Sequence, residues 1–171
     1  MPYMRGQKET GCKMRWYNDL PFELVMPVDM PKASLSPWRR SLQLIARAKK
    51  DFNIKVKSVR VHHHDPERTR YGHYHPMGYT YSDDAEMVLC AKDIDTALHE
   101  MAHIWTNENH TAKWAAKYIK LCQEYMNPQE LDASIRHSAS NYKCVRERAR
   151  KMGIVRSKRR KAKEVFCPGR I

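Results

Sequence analysis

The most informative stretch of this chain reads Leu98-His99-Glu100-Met101-Ala102-His103-Ile104-Trp105. Its apolar residues recur at positions i, i+3, i+4 and i+7, namely Leu98, Met101, Ala102 and Trp105. That spacing places them on one face of an α-helix, which we expect to pack against the core. Asp93 and Asp95 precede the stripe, and either is suited to cap the first turn. The sequence therefore predicts a core helix here.

The polar residues of this helix match the pattern His-Glu-x-x-His, with imidazoles at His99 and His103. Side chains four residues apart lie on neighbouring turns of one helix face, so both rings are placed to ligate a single zinc ion. Glu100 points in an adjacent direction, where its carboxylate reaches a zinc-bound water as a general base. A chain of this composition contains the pattern by chance only about 0.03 times. The alternative is a surface helix whose two histidines face solvent.

A catalytic zinc needs a third protein ligand besides an open position. His110 is the first candidate, seven residues beyond His103. A continuous helix would carry His110 about 10 Å along the axis, so the chain has to reverse, and the turn-like residues 106–109 permit this. The alternative is that His110 only caps the next helix. Glu108 and Glu124 are weaker candidates for the third ligand, since zinc hydrolases also use carboxylates.

Strand patterns precede this helix. An amphipathic helix is predicted to begin at Ser36, with Pro37 in its first turn. The predicted strands are Ile54–Val61, a hairpin region at Tyr71–Tyr81, Glu86–Ala91, and a further candidate at Phe22–Met26. In Ile54–Val61 the alternation changes phase near Ser58, which indicates one bulged strand or two short strands.

Helical patterns follow the central helix. One helix is predicted from Thr111. The next begins at Asn127, where Asn-Pro-Gln-Glu forms an Asn-led analogue of a capping box with proline at the first helical position. Helical character is expected to continue to Gly153, with a break near Ser138–Asn141. The sequence therefore predicts an α+β fold, in which a small few-stranded sheet packs on the His-Glu-x-x-His helix and further helices follow.

Composition limits the classes of protein that this chain can represent. Its 171 residues suit about one domain. No apolar run approaches the roughly 20 residues that a membrane helix needs, and no secretory signal is recognisable, so we expect no membrane partner. The five cysteines are widely spaced and contain no Cys-x-x-Cys pair. That pattern favours a reducing cytoplasm over a disulfide framework or a cysteine-based zinc site.

The net charge of +13 is concentrated at the C-terminal end. Residues 145–171 hold eleven Lys and Arg residues against two Glu. Such a segment predicts salt-sensitive nucleic-acid binding, and the alternative is a solvated helix face followed by a solubilising end. We divide the chain into an irregular N-terminal extension at 1–35, a catalytic domain at 36–155 and a basic, mobile tail at 156–171.

The motif followed by His110-x-x-x-Trp114 resembles the SprT-like (Spartan-type) zinc metallopeptidases. In that group a third histidine opens the next helix and an aromatic residue follows four positions later. The order of elements over residues 36–155 is also similar to a family of small metallohydrolases from bacteria and their phages. The chain departs from these relatives at Thr111, where they usually have glycine.

This resemblance implies a minimal zincin-like domain, with His99, His103 and His110 as ligands of Zn²⁺ and Glu100 as general base. The activity it implies is hydrolysis of a peptide or protein substrate, in the cytoplasm of a bacterium or of a phage-infected host cell. The alternative function is a basic nucleic-acid-associated protein whose metal site is structural or vestigial.

Two further features are weighed as expectations. Histidines 62, 63, 64, 73 and 75 form a second cluster. It is a second metal site, a donor to the substrate oxyanion or, as we favour for the first three, part of a polar loop and hairpin. The sequence does not identify the donor that stabilises the substrate oxygen. The strand Glu86–Ala91 directly precedes the motif helix, and as the edge of the sheet it would accept a peptide as an added strand.

Overall fold

The computed structural model describes residues 16–27, 32–62 and 77–154. The predictions for the first part of the hairpin at 71–76, for His63, His64, His73 and His75, and for the tail at 156–171 lie outside these ranges. Within them, none of the helices combines the length and the apolar character needed to span a membrane.

In the described residues, four short strands form one mixed sheet, which together with five α-helices confirms the predicted α+β class. The strands are β1 (Glu23–Val25), β2 (Ser58–Val61), β3 (Gly78–Tyr81) and β4 (Glu86–Leu89). Their order in the sheet is β1-β2-β4-β3. β1 and β4 run parallel to β2, and β3 runs antiparallel to β4. β1 lies within the predicted candidate Phe22–Met26, so the N-terminal region contributes a strand to the sheet.

The prediction that Glu86–Ala91 is the sheet edge is wrong. Only Glu86–Leu89 forms a strand, and this strand, β4, lies between β2 and β3. Met87, Val88 and Leu89 are all buried, which is typical of a strand covered on both faces. The edge strand beside the motif helix is β3, whose Tyr81 is exposed.

The stretch Ile54–Val61 forms a strand only in its second half, β2, so neither predicted arrangement of strands is correct. Ile54 and Val56 are nevertheless buried. They belong to a loop in which the N–H of Ile54 donates to the carbonyl of Lys49 at 3.1 Å, closing the preceding helix. At Ile54 and Val56 the alternating pattern therefore indicates burial and not a strand.

One 3-10 helix and five α-helices are found in the described residues. They are a 3-10 helix (Lys32–Trp38), α1 (Arg39–Phe52), α2 (Ile94–Thr106), α3 (Ala112–Tyr125), α4 (Pro128–Asn141) and α5 (Lys143–Lys151). The α-helix expected to begin at the cap Ser36 begins instead at Arg39, after a 3-10 helix in which Leu35 and Trp38 are both buried. A 3-10 helix has three residues per turn and places that pair on one side.

Two of the predicted helix caps are found, those of α2 and α4. Asp93, rather than Asp95, caps α2 by accepting the backbone N–H of Thr96 at 2.8 Å. Thr111 caps α3, and Asn127 forms the predicted capping box of α4 with Glu130. The expected break in the last helical region falls at Tyr142, between α4 and α5.

The motif helix α2 lies at the centre of the molecule, where it contacts α1, α3, β3 and β4. Its predicted apolar stripe is fully buried at Leu98, Met101 and Ala102. Trp105, the last residue of the stripe, is half-buried, with its ring 5.0 Å from that of Phe52 and beneath the ammonium of Lys117. Packing on several sides fixes α2 and thereby the polar residues that it carries.

Candidate metal centre

The imidazoles of His99 and His103 lie side by side on α2, with ring centroids 5.0 Å apart. This is the arrangement that their spacing of four residues predicts. His103 is buried and His99 is half-buried, so neither ring lies on an open helix surface. The alternative of a solvent-facing helix is therefore not what the structure shows.

A chain reversal brings His110 back to these two rings. Asn107 ends α2 in the left-handed region at φ 52°, and its N–H donates to the carbonyl of His103 at 2.8 Å. The next helix is capped by Thr111, so His110 is not its cap. Nε2 of His110 lies 3.0 Å from Nε2 of His99, and the ring of His110 is 4.9 Å from that of His103. One ligand atom from each histidine lies within 4.8 Å of the others.

The turn also orients His103. Its Nδ1 lies 2.7 Å from the backbone carbonyl of Glu108, and a carbonyl only accepts, so this nitrogen carries the proton. Nε2 of His103 is thereby left as the ligand atom, and such a second bond is common for metal-bound histidine. The carboxylate of Glu108 bonds the hydroxyl of Thr111 and the ammonium of Lys113.

The weaker ligand candidates stay outside the site. The cluster of ligand groups found in the described residues holds three histidines and neither Glu108 nor Glu124. Glu124 is exposed near the end of α3. His62, which belongs to the second predicted cluster, follows β2 and donates its N–H to the carbonyl of Leu89 at 2.9 Å. It is not among the three clustered imidazoles.

The three rings are held neutral. Burial, together with repulsion from the other two rings, lowers the pKa of His99 to about 3. Burial and the charge of His103 lower the pKa of His110 to about 4, and burial lowers the pKa of His103. Because neutral imidazole is the form that ligates a metal, the donor set is ready to bind at neutral pH. Three nitrogen donors with an open side fit the zinc that the motif predicts.

The aromatic side chain of Trp114 packs against the three imidazole rings. Trp114, the aromatic residue of the His110-x-x-x-Trp114 pattern, is fully buried. Its ring lies 4.7 Å from that of His99, 5.1 Å from that of His103 and 4.6 Å from that of His110. Tyr118 stacks parallel to Trp114 at 5.1 Å. The indole therefore restricts all three imidazoles to one side of α3.

Glu100 is the buried carboxyl of the site, with only 5% of its surface exposed. Burial raises the pKa of Glu100 to about 7, and a hydrogen bond from Thr80 opposes that rise. The Thr80 hydroxyl donates to Oε2 at 2.5 Å. Glu100 is absent from the ligand cluster but lines the same cavity as the histidines, as the motif predicts for a general base.

This cavity has a volume of about 450 Å³. The three histidines and Glu100 line it, together with residues 77–80. The junction of α4 and α5 contributes His137, Asn141 and Tyr142. The ring of Tyr142 stacks on that of His110, with centroids 4.0 Å apart.

Sequence reasoning missed Thr80, His137, Asn141 and Tyr142 as residues of the site. Thr80 lies 20 positions before Glu100, and the other three residues follow His110 by at least 27 positions. No sequence motif marks any of the four. A local pattern reports only neighbours along one helix or turn.

Comparisons of this chain with protein-family models, with curated proteins and with solved structures gave no match. What the site can do is therefore argued from its own residues. These are three neutral imidazoles converging on one point, a buried carboxyl beside them, and a cavity that opens onto both.

Proposed function

We propose that this protein is a zinc-dependent hydrolase, acting as a metallopeptidase, in which His99, His103 and His110 hold the ion and Glu100 is the general base. The observation that carries the proposal is the convergence of three imidazole ligand atoms within 4.8 Å beside a buried carboxyl on the same cavity. Imidazole nitrogens suit zinc better than the oxygen-preferring Mg²⁺ or Ca²⁺. The resemblance to SprT-like metallopeptidases supports the same function.

Zinc, when bound, lowers the pKa of a coordinated water to near 7 and polarises the substrate carbonyl. Glu100 accepts the proton of the attacking water, and it returns a proton to the leaving amine as the peptide bond breaks. A pKa of about 7 suits both roles, since the carboxyl gains and loses a proton near neutral pH. Burial beside β3 keeps this carboxyl from bulk water.

A peptide is the substrate class that the cavity favours. Residues 77–80 of β3 and its approach line one side of the cavity. In the described part of the sheet β3 is an edge strand, and strands of this kind can hydrogen-bond an extended chain. An added strand there would run past the three histidines. The peptide-binding edge is thus proposed for β3, in place of Glu86–Ala91.

The proposal is tested by metal content and by cleavage of fluorescein-labelled casein. We expect about one zinc per chain in the wild type, weaker zinc binding in His110→Ala, and cleavage that Glu100→Gln abolishes while retaining zinc. Glu124→Gln is the matched control, because that carboxylate is exposed and lies outside the ligand cluster. A zinc-loaded wild type that cleaves no faster than Glu100→Gln would refute the hydrolase.

A second candidate function is association with nucleic acid, which we propose from the charge of α5. Val145 and Ala149 are buried and anchor this helix. Its exposed residues include the cations Lys143, Arg148, Arg150 and Lys151. Phosphate contacts would make binding of a duplex DNA fall steeply with salt. Fluorescence anisotropy at several salt concentrations checks this, and binding that is absent or independent of salt would exclude it.

We propose the cytoplasm as the compartment of this protein. Cys122 and Cys144 are free thiols among the described residues. Cys122 is fully buried in the core. Free thiols of this kind persist where thioredoxin and glutathione keep cysteine reduced.

A further inference from the structure

The edge strand β3 presents two small residues to the motif helix. Gly78 pairs with Leu89 and Thr80 pairs with Met87 across the β3–β4 ladder. Because Met87 and Leu89 are buried in the core, this face of the sheet is the one that packs on the helices. Gly78 and Thr80 are therefore directed at α2, where they meet the side chain of Glu100.

Thr80 is bonded to one oxygen of that carboxyl. Its hydroxyl donates to Oε2 of Glu100 at 2.5 Å, and it also lies 3.4 Å from the backbone carbonyl of Glu100. A hydroxyl bonded to an ionised carboxylate forms one of the stronger hydrogen bonds in proteins. Its fixed position on a strand limits the rotation of the carboxyl group about its last side-chain bond.

Gly78 provides the space in which the same carboxyl lies. A Cβ at position 78 would come within 3.0 Å of Cγ and 3.1 Å of Oε1 of Glu100, and within 2.8 Å of Cγ2 of Thr96. These separations are shorter than ordinary van der Waals contacts, so a larger residue would force the side chains of Thr96 and Glu100 to shift. Glycine is needed here for close approach of a backbone to a side chain.

We propose that Gly78 and Thr80 are positioning residues for Glu100. The Thr80 hydroxyl binds Oε2, which leaves Oε1 as the oxygen that accepts the proton. Because Gly78 has no Cβ, Oε1 can lie beside its Cα. This inference rests on the proposed function, because it assigns β3 a part in the same reaction. β3 then has two tasks: its edge borders the cleft and its helix-facing side aligns the general base.

The first test compares two substitutions of Thr80 in the zinc-loaded protein, with labelled casein as substrate. Thr80→Val keeps the shape and removes the hydroxyl, and Thr80→Ser keeps the hydroxyl. We expect Thr80→Val to lower kcat about tenfold or more, with KM within about twofold and zinc content unchanged. Thr80→Ser is expected to stay within about threefold of the wild type.

Ser36→Ala is the control, because it removes the hydroxyl of an exposed residue in the 3-10 helix that does not line the cavity. We expect it to leave kcat as in the wild type. Equal kcat in Thr80→Val and the wild type would overturn the inference while leaving the hydrolase intact. So would a loss in Thr80→Ser as large as that in Thr80→Val, since a purely structural role of the threonine predicts no rescue.

The second test does not depend on turnover. Thermal unfolding of the metal-free protein is measured for Thr80→Val, Glu100→Ala and the double variant. If the hydroxyl binds the carboxyl, the change in Tm of the double variant differs from the sum of the changes in the two single variants. Additive changes would overturn the inference. A zinc-loaded wild type without activity would instead refute the proposed function, and the unfolding cycle would still decide the contact.

Discussion

Replacement of Glu100 by glutamine is expected to stabilise the metal-free protein above neutral pH. Burial raises the pKa of Glu100 from its ordinary value of 4.5 to about 7. Since one pKa unit corresponds to about 1.4 kcal/mol, keeping this carboxyl ionised in the fold costs about 3 kcal/mol above pH 7. Glutamine carries no charge, and its side-chain oxygen still accepts from Thr80. We therefore expect Glu100→Gln to gain about 1–3 kcal/mol at pH 8.

The sign of the pH dependence follows from proton uptake. Between pH 7 and pH 4.5 the folded chain holds a proton on Glu100 that the unfolded chain releases, so this carboxyl ceases to destabilise the fold as pH falls. The advantage of the glutamine variant should vanish over that window. The lowered pKa values of His99 and His110 act in the opposite direction, since the unfolded chain binds protons first. Both proteins retain these histidines, so their effect cancels in the comparison.

Urea unfolding followed by tryptophan fluorescence, in EDTA at pH 5, 6, 7 and 8, measures this difference. Glu124→Gln is the control, because an exposed carboxylate should change the free energy of unfolding by no more than about 0.5 kcal/mol. A wild type at least as stable as Glu100→Gln at pH 8 would contradict the reasoning. A gain that stays constant from pH 8 to pH 5 would do so as well.

Three further outcomes are expected. Tyr118→Phe removes a buried hydroxyl that lies 2.5 Å from Asp95 and 2.9 Å from Ser134. We expect it to lower the free energy of unfolding in urea by about 1–3 kcal/mol. An unchanged unfolding midpoint would contradict this. Asn127→Ala should cost about 1 kcal/mol by the same assay through loss of the capping box, whereas Asn127→Ser should retain most of the stability. Zinc at about 1,000 times its Kd should raise the free energy of unfolding by about 4 kcal/mol, and EDTA should reverse this gain. The gain should be much smaller in His110→Ala. Equal gains in the wild type and the variant would exclude His110 as a ligand.

The local parts of the site were predictable from sequence. His99 and His103 converge because a helix repeats every 3.6 residues, and no other element is needed to bring their rings to 5.0 Å. His110 required one more step, the reversal at Asn107, and residues that favour turns mark that point. The start of α4 at Asn127 is equally local, because its capping box lies within four consecutive residues.

The errors and omissions arise where distant segments meet. The hypothesis that Glu86–Ala91 is an edge strand fails because β4 pairs on both sides, and β3 is the edge strand beside the motif helix. Strand order depends on contacts between residues far apart in the chain, and short apolar strands fit several orders equally well by pattern. Thr80 was missed for the same reason, since its bond to Glu100 spans 20 positions and depends on the register of β3.

Helix periodicity and turn chemistry thus predict which residues form the candidate metal centre, since those signals act between neighbours in the chain. The depth of burial that gives Glu100 its raised pKa is different in origin. It depends on β3 lying against α2, where Gly78 and Thr80 contact the Glu100 side chain. A pKa responds to the solvent and charge that surround a group on all sides, and those surroundings exist only once the sheet and the helices have packed.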